Sequence, residues 1–332
     1  MAVSIADIQK LRKLTSAGLV DCKKALIEAE GDMDKAVELV RKRGQAIAAK
    51  REDRDAAEGR ALAKADGKFA AILAIKCETE PVANNEKFAN LVNTILDAAM
   101  AARAKNIDDV KALTIGGEGV EEMIKGLSGI TGEKMELGDY ACVEGETTVA
   151  YNHFNKKLST VVAFNKAGVD EEVAKNMAMQ VASMNPMVAN RSQVPQAKID
   201  EELAVAIEKT KTEQVQKAVD NALKKAGFNP YYCATEEHRD EAIRKGYMTQ
   251  EDVDNALKLM KETADNKLAN LPEQMVQHIA NGRLNKFFQE NVLMEQEFDS
   301  GTNEKLTVAQ YLAKIDKELE ATDLKRVNLN AD

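Results

Sequence analysis

The stretch AAILAI at residues 70–75 constrains the fold of this chain more than any other segment. It is short, apolar and bounded, which is typical of a β-strand that is buried on both faces. Asp66-Gly67 lies just before it and joins the segments GRALAKA and KFAAILAIKC. Because Asp-Gly suits a two-residue type I′ turn, the pattern predicts a β-hairpin.

A helix is predicted directly after this hairpin. The segment CETEPVA leads into it, and Asn84 or Asn85 can cap its first turn. Its apolar side chains then fall on one stripe, at Phe88, Leu91, Val92, Ile95, Leu96 and Ala99.

A second unit of the same kind follows. Its strands are ACVEGETTVAYNHF and KLSTVVAFN, and its helix, DEEVAKNMAMQVASMN, stops before Pro186. We therefore predict an α+β fold with two related core subdomains, at residues 56–145 and 146–332.

Residues 1–55 are predicted to form a three-helix module with a helical linker. The signals that start and stop its helices are Ser4 with Asp7, the TSAG turn at 15–18, Gly31, Asp32 and Gly44. The run QAIAAKREDRDAAEG follows as the linker. Three helices of about ten residues make a bundle too small to be very stable alone.

Two long charged helices are predicted inside the second subdomain. IDEELAVAIEKTKTEQVQKAVDNALKKAG and TQEDVDNALKLMKETADNKLANL are the longest patterned runs of the chain. An antiparallel helical hairpin inserted at about residues 197–275 accounts for them. Between them, GFNPYYCATEEHRDE is expected to be an irregular tip or a small extra element.

Charge and hydropathy exclude several classes of partner. The 332 residues carry a net charge of −9 with a pI near 5.2, whereas nucleic-acid binding needs a basic footprint. No segment approaches the ~20 apolar residues that span a bilayer. The N-terminus lacks the apolar core of a signal peptide, so we expect a cytoplasmic protein without direct nucleic-acid or membrane contacts.

The residue types that carry covalent chemistry are scattered. The four cysteines lack metal-binding spacing, and the three histidines are dispersed. GLSGITGEK at 126–134 fails as a phosphate loop because Glu133 stands where the lysine is needed. We therefore expect no metal, no cofactor and no covalent catalysis.

Ordered motifs along nearly the whole chain resemble the bacterial elongation factor Ts family. The segment LRKLTSAGLVDCKKALIEAEGDMDKAVELVRKRG is similar to the family's opening, and CETEPVANNEKF stands where the family has C-E-T-D-F-V-A. GRLNKFFQENVLMEQEF and LTVAQYLAK resemble its late helix and its L-x-E-Q-x-F segment. The resemblance is weakest at about 200–275.

The resemblance implies a guanine-nucleotide exchange factor for elongation factor Tu, and not an enzyme. It implies a bundle similar to a ubiquitin-associated (UBA) domain, which docks on the nucleotide domain of the GTPase. It also implies that the family's Asp-Phe finger pushes against helices beside the Mg²⁺ site. A homodimer or a two-to-two complex with elongation factor Tu stays open. After LKRVNLNAD no further helix follows, so we expect no contact of the kind that such a helix makes in some relatives.

Residue by residue, the resemblance assigns eleven positions to the partner interface. They are Arg12, Leu19, Val20 and Lys23 on the bundle, Lys50 and Arg51 in the linker, Glu80, Pro81 and Val82 in the finger, and Gly132 and His153 in two turns. Helical spacing alone favours Leu19 and Val20 as core residues, whereas their place beside a turn and the resemblance favour contact. A solvated Lys23 and a locally hydrogen-bonded His153 are the alternatives for those two residues.

The chain departs from the family pattern at three places in or beside these positions. Thr131 replaces the isoleucine before Gly132, and the two glycines of Y-x-H-G-G are absent after His153. Glu80-Pro81 replaces Asp-Phe, which keeps the carboxylate but removes the aromatic ring. Because proline locks its own φ, we expect a stiff, shallow finger that acts more through position and charge than through insertion.

Two other functions compete with exchange activity. A UBA-like adaptor or scaffold would show an unpartnered apolar docking patch and no effect on any GTPase. An enzyme would show a pocket with convergent polar groups and perturbed pKa values.

Overall fold

The apolar run at 70–75 lies in a central strand of the computed structural model. This strand, β2 (Phe69–Cys77), pairs antiparallel with β1 (Glu58–Ala65), which confirms the hairpin. The register pairs Ala65 with Ala70, so the loop residues are Gly67 and Lys68 and not Asp66 and Gly67. A type I′ turn needs a positive φ at both loop residues, but only Gly67 has one, of 75°, and the Lys68 N–H donates to Asp66 O at 2.9 Å; the predicted type I′ turn is therefore wrong.

The structure describes residues 3–15, 17–298 and 305–330. The chain divides into two compact units. One consists of the residues up to 190 together with those from 292 onward, and the other is Arg191–Asn291.

The first sheet has the order β1–β2–β5, with β5 spanning Met135–Glu144. Between β2 and β5 lie α4 (Glu80–Ala83), α5 (Glu86–Ala102), α6 (Ile107–Lys111), β3 (Thr114–Ile115), β4 (Glu118–Gly119) and α7 (Val120–Thr131). Asn85 caps α5, since its Oδ1 accepts the Lys87 N–H at 2.9 Å. The predicted apolar stripe of α5 is fully buried against one face of β2.

The second sheet has the order β10–β7–β6, formed by Ala321–Asn328, Leu158–Phe164 and Thr147–Asn152. Helix α8 (Glu171–Met184) packs on it and ends at Asn185, whose φ of 48° is left-handed. Short strands β8 (Glu297–Phe298) and β9 (Leu306–Thr307) and helix α14 (Val308–Ile315) complete this part. The two sheets with their helices make the chain an α+β protein.

The two sheets pack face to face through small side chains. Ala70, Ile72 and Ala74 of β2 meet Val161 and Ala163 of β7 in this layer. The alternate β2 side chains face α5, so β2 is buried on both faces, as predicted.

The N-terminal bundle consists of α1 (Ile5–Thr15), α2 (Leu19–Glu28) and α3 (Met33–Ala49). The predicted caps are confirmed, because Ser4 Oγ accepts the Asp7 N–H at 3.1 Å and Asp32 Oδ1 accepts the Asp34 N–H at 3.0 Å. The core of the bundle centres on Leu11, Cys22, Ala25, Leu26, Ala36 and Val40.

Helix α3 runs through Gly44, where the sequence predicted its end. It packs on α7, and the missing side chain of Gly129 on α7 lets the two backbones touch at Gly44. The helix continues through Gly44 although a glycine inside a helix costs about 0.5–1 kcal/mol relative to alanine. Residues 50–57 are not helical, so the second half of the predicted helical linker is wrong.

The second unit is helical. It contains a 3₁₀ turn at Arg191–Gln193, α9 (Gln196–Lys225), α10 (Pro230–Cys233), α11 (Glu236–Arg244), α12 (Gln250–Ala269) and α13 (Glu273–Asn291). Helix α9 packs against α12 and α13, and the expected insertion at 197–275 falls inside this unit. The segment expected as a tip forms α10 and α11, which Asn229 and Thr235 cap.

Candidate partner-binding surface

An apolar edge of the bundle faces solvent at the turn between α1 and α2. Leu14, Leu19 and Val20 are 61%, 49% and 65% exposed. Leu19 and Val20 therefore are not core residues, and the interpretation from helical spacing alone is wrong. Arg12 and Lys23 are exposed on the same two helices. An exposed apolar cluster with cationic neighbours is a common form of protein-docking surface.

Sequence reasoning missed Leu14. It lies three residues after the buried Leu11, at a spacing that is equally typical of a core position. Only the packing of the three helices shows that it points outward.

The residues between the bundle and β1 are anchored to the end of β2 through Glu78. Glu78 Oε1 accepts the Lys134 backbone N–H at 2.6 Å and lies 3.3 Å from Arg51 Nη1, while Arg54 Nη1 lies 3.0 Å from Oε2. The Lys134 hydrogen bond, followed by Arg54 and Arg51, lowers the pKa of Glu78. Arg51 is thus engaged within the chain, whereas Lys50 is exposed.

Thr79 is hydrogen-bonded to Glu133, which precedes Lys134 in the turn after α7. Its N–H donates to Glu133 Oε2 at 3.1 Å, and its hydroxyl donates to Glu133 Oε1 at 2.6 Å. Sequence reasoning missed Glu78 and Glu133 as supports, because their partners lie between 24 and 56 residues away along the chain. Helix α4 therefore begins from a fixed base.

Helix α4 is a single turn that presents two of its residues. Glu80 and Pro81 are exposed, with Pro81 in the first turn where its missing N–H costs nothing. Val82 is half-buried against the core between α5 and β2, and Ala83 is buried. Helix α4 therefore exposes the Glu80 carboxylate beside the Pro81 ring, and Val82 anchors the helix to the core.

Gly132 caps the C-terminus of α7. Its φ of 71° is left-handed, which explains glycine at this position. A Cβ there would lie 3.8 Å from Arg51 Nη2, so Gly132 belongs to the group of residues around Glu78.

His153 lies at the end of β6 and is half-buried. Its Nδ1 lies 2.9 Å from the Tyr151 hydroxyl, and its N–H donates to Leu158 O at 2.9 Å, so it makes the local hydrogen bonds of a hairpin residue. The next residue, Phe154, is 86% exposed, and its ring centroid lies 4.4 Å from that of His153. Sequence reasoning did not select Phe154.

All of the predicted site residues except Lys50 fall into two groups. Arg12, Leu19, Val20 and Lys23 lie on the bundle. The finger, Arg51 and Gly132 lie around Glu78. The β6–β7 turn, residues 153–157, includes His153 and contacts the end of the finger, where Lys156 Nζ donates to Asn84 Oδ1 at 3.3 Å.

A cleft of about 710 Å³ lies between the bundle and the helices α5 and α7. Its apolar lining includes Leu14, Val40, Leu91, Leu127 and Ile130. The cleft ends at the apolar edge, since Leu14 belongs to both.

Within the described ranges, no group of three or more His, Cys, Asp or Glu side chains is placed to hold a metal ion. None of the helices in that part of the chain is long and apolar enough to cross a membrane.

The family model and the similar proteins all indicate one family. The family model described as Elongation factor TS matches residues 78–226 and 204–330. Proteins named Elongation factor Ts from Bacteroides thetaiotaomicron and Parabacteroides distasonis are each 51% identical over 333 residues, covering 100% of both chains. The one from Porphyromonas gingivalis is 39% identical with the same coverage. The chain therefore belongs to the elongation factor Ts family.

Proposed function

We propose that this chain is the guanine-nucleotide exchange factor of elongation factor Tu and acts in translation elongation in the cytoplasm. Full-length relatives named Elongation factor Ts support this assignment. The observation that carries it is the exposed pair Glu80 and Pro81 on a short helix whose base is held by Glu78 and Thr79. A rigid element that points outward is suited to displacing groups of the partner, because little binding energy is lost in ordering it.

The thermodynamics of exchange define what the two surface groups have to do. GTPases of this kind hold the diphosphate through Mg²⁺ and a phosphate loop. A protein speeds GDP release only by binding better to the state in which those contacts are weakened. By linkage, GDP must then weaken the binding of the exchange factor by the same factor.

The bundle supplies affinity in this scheme. We propose that it is UBA-like and docks on the nucleotide domain through Leu19 and Val20, with Leu14 beside them. Arg12, Lys23 and Lys50 add a positive rim, which steers association more than it strengthens binding.

Helix α4 supplies the displacement. Glu80 brings a carboxylate toward the Mg²⁺ and phosphate site, where it repels the diphosphate and competes for the cation. Pro81 keeps this short helix stiff, because its ring fixes φ. The two hydrogen bonds of Thr79 to Glu133 keep the finger in place when it contacts the partner.

The direct test is release of a fluorescent GDP analogue from elongation factor Tu of the same organism. The protein should accelerate release at micromolar concentration. No acceleration would refute the exchange function, and binding without acceleration would instead favour the adaptor.

Two variants separate the roles of the surfaces. Glu80→Ala with Pro81→Ala should lower the maximal release rate far more than it raises the half-saturating concentration; Glu86→Ala, another exposed first-turn glutamate, is the control. Leu19→Ala with Val20→Ala should raise the half-saturating concentration about thirtyfold, for a loss of about 2 kcal/mol of apolar burial. Leu268→Ala, at a similarly exposed leucine, should change neither parameter.

A further inference from the structure

Phe154 is more exposed than any other large apolar side chain in the described residues, at 86%. A single exposed apolar residue is ordinary on a protein surface. What distinguishes Phe154 is the turn that carries it and the element that this turn contacts.

The β6–β7 turn is held by backbone hydrogen bonds on several sides. Lys156 N–H donates to His153 O at 2.9 Å, and Lys157 N–H donates to Asn155 Oδ1 at 3.0 Å. Lys156 O accepts the Ala61 N–H of β1 at 2.8 Å, which fixes the turn to the first sheet. Lys156 also adopts a left-handed φ of 61°, a conformation that persists in a non-glycine residue only where the surroundings enforce it.

The ring of Phe154 has its own support. It lies against His153, with centroids 4.4 Å apart and planes at 49°, and His153 is held by the Tyr151 hydroxyl. An aromatic side chain on a fixed base loses little conformational freedom when it is buried by a partner, which favours strong binding.

The turn is continuous with helix α4. Lys156 Nζ donates to Asn84 Oδ1, and Asn84 is the C-cap of α4, about 6 Å along the helix axis from Glu80. The turn that carries Phe154 thus contacts the C-terminal end of the finger. The finger contributes a carboxylate and a small ring, and the turn contributes the aromatic group.

We infer that Phe154 is an anchor residue of the interface with the GTPase, where its ring enters an apolar pocket beside the region that α4 reaches. This inference rests on the proposed exchange function. The chain has Phe154 where the family pattern has glycine, and proline where that pattern has the aromatic residue of the finger. In this chain the exposed aromatic ring therefore lies on the turn and not on α4.

A second copy of this chain is a poor occupant by comparison. One phenylalanine buries at most about 250 Å², whereas specific interfaces bury at least about 1,200 Å² in total. Phe154 alone therefore does not make a dimer interface, whereas the proposed interface with the GTPase also includes α4 and the apolar edge of the bundle.

The test is the same GDP-release assay, run over a range of concentrations of the full-length chain. Phe154→Ala should raise the half-saturating concentration about thirtyfold, equivalent to about 2 kcal/mol, and leave the maximal rate within twofold. Phe154→Tyr should restore most of the loss, because it keeps the ring. Tyr231→Ala removes an aromatic side chain that is 56% exposed on the other unit and should match the unaltered protein.

The outcomes separate this inference from the function on which it rests. If the unaltered protein accelerates release and Phe154→Ala is within twofold of it in half-saturating concentration, the anchor is overturned and the exchange function stands. A fall in maximal rate alone would also overturn the anchor, since Phe154 would then act in displacement. If the unaltered protein does not accelerate release, the proposed function fails first.

Discussion

The contact between Gly44 of α3 and Gly129 of α7 makes Gly129→Ala a sharp test of how the bundle is attached. A Cβ on Gly129 would lie 2.2 Å from Gly44 Cα and 2.5 Å from Gly44 O. These are backbone atoms, so no side chain can rotate away. The two helices must separate by about 1 Å to restore an ordinary contact.

The expected magnitude follows from two opposing effects. Overpacking of this kind costs about 1–3 kcal/mol, and the alanine gains about 0.5–1 kcal/mol as a better helix former. Gly126→Ala, one turn earlier on α7, makes the same gain but meets no heavy atom within 4 Å. The difference between the two variants is therefore the packing cost alone, about 1–3 kcal/mol.

A second control exploits the asymmetry of the crossing. A Cβ on Gly44 would lie 3.5 Å from Gly129 Cα, which is an ordinary contact, so Gly44→Ala should be tolerated. Thermal unfolding should rank Gly126→Ala highest and Gly129→Ala lowest, about 2–4 °C apart per kcal/mol. Hydrogen exchange of the α3 amides should accelerate only in Gly129→Ala. Equal unfolding temperatures and equal exchange in the two α7 variants would refute the close crossing.

Three further perturbations probe the rest of the first unit. Asn152→Ala should lower the free energy of unfolding in urea by about 1–2 kcal/mol, since its amide accepts the Ala63 N–H at 2.7 Å and donates to Ala63 O at 2.9 Å. Glu78→Gln should destabilise the protein by about 1 kcal/mol at pH 7. Because the folded pKa of Glu78 is lowered, this difference is present above the usual glutamate pKa of about 4.3 and should vanish as pH falls through the folded pKa in urea titrations. Alkylation at pH 8, followed by mass mapping, should modify half-exposed Cys142 before Cys77, because Cys77 is buried and burial raises the pKa of its thiol to about 12. Modification of Cys77 first would contradict its burial.

Local signals in the sequence predicted most elements of the fold. Side-chain caps at Ser4, Asp32 and Asn85 depend on residues two or three positions away, so they can be recognised without the tertiary structure. The apolar run of β2 and the stripe of α5 depend only on periodicity. Ordered motifs then sufficed to indicate the family, because their order is a property of the chain itself.

The candidate site was less accessible from the sequence. Leu19 and Val20 have the spacing of core residues, and periodicity is the same for a side chain that faces a core and one that faces a partner. Their exposure follows from how the three helices pack. The supports of the finger, Glu78 and Glu133, act on residues distant along the chain, and Phe154 matters because its turn contacts α4.

The sequence by itself determined where helices and strands form, how they are capped and to which family the chain belongs, because these depend on residues close together along the chain. Only the tertiary structure decided that α3 continues past Gly44, that the hairpin turns at Gly67 and Lys68, and which side chains face outward. The physical reason is that packing between distant segments contributes as much free energy as local propensity, about 1 kcal/mol per residue, and so can override it. At Gly44 a glycine that ends helices elsewhere serves instead as the site where two helices touch.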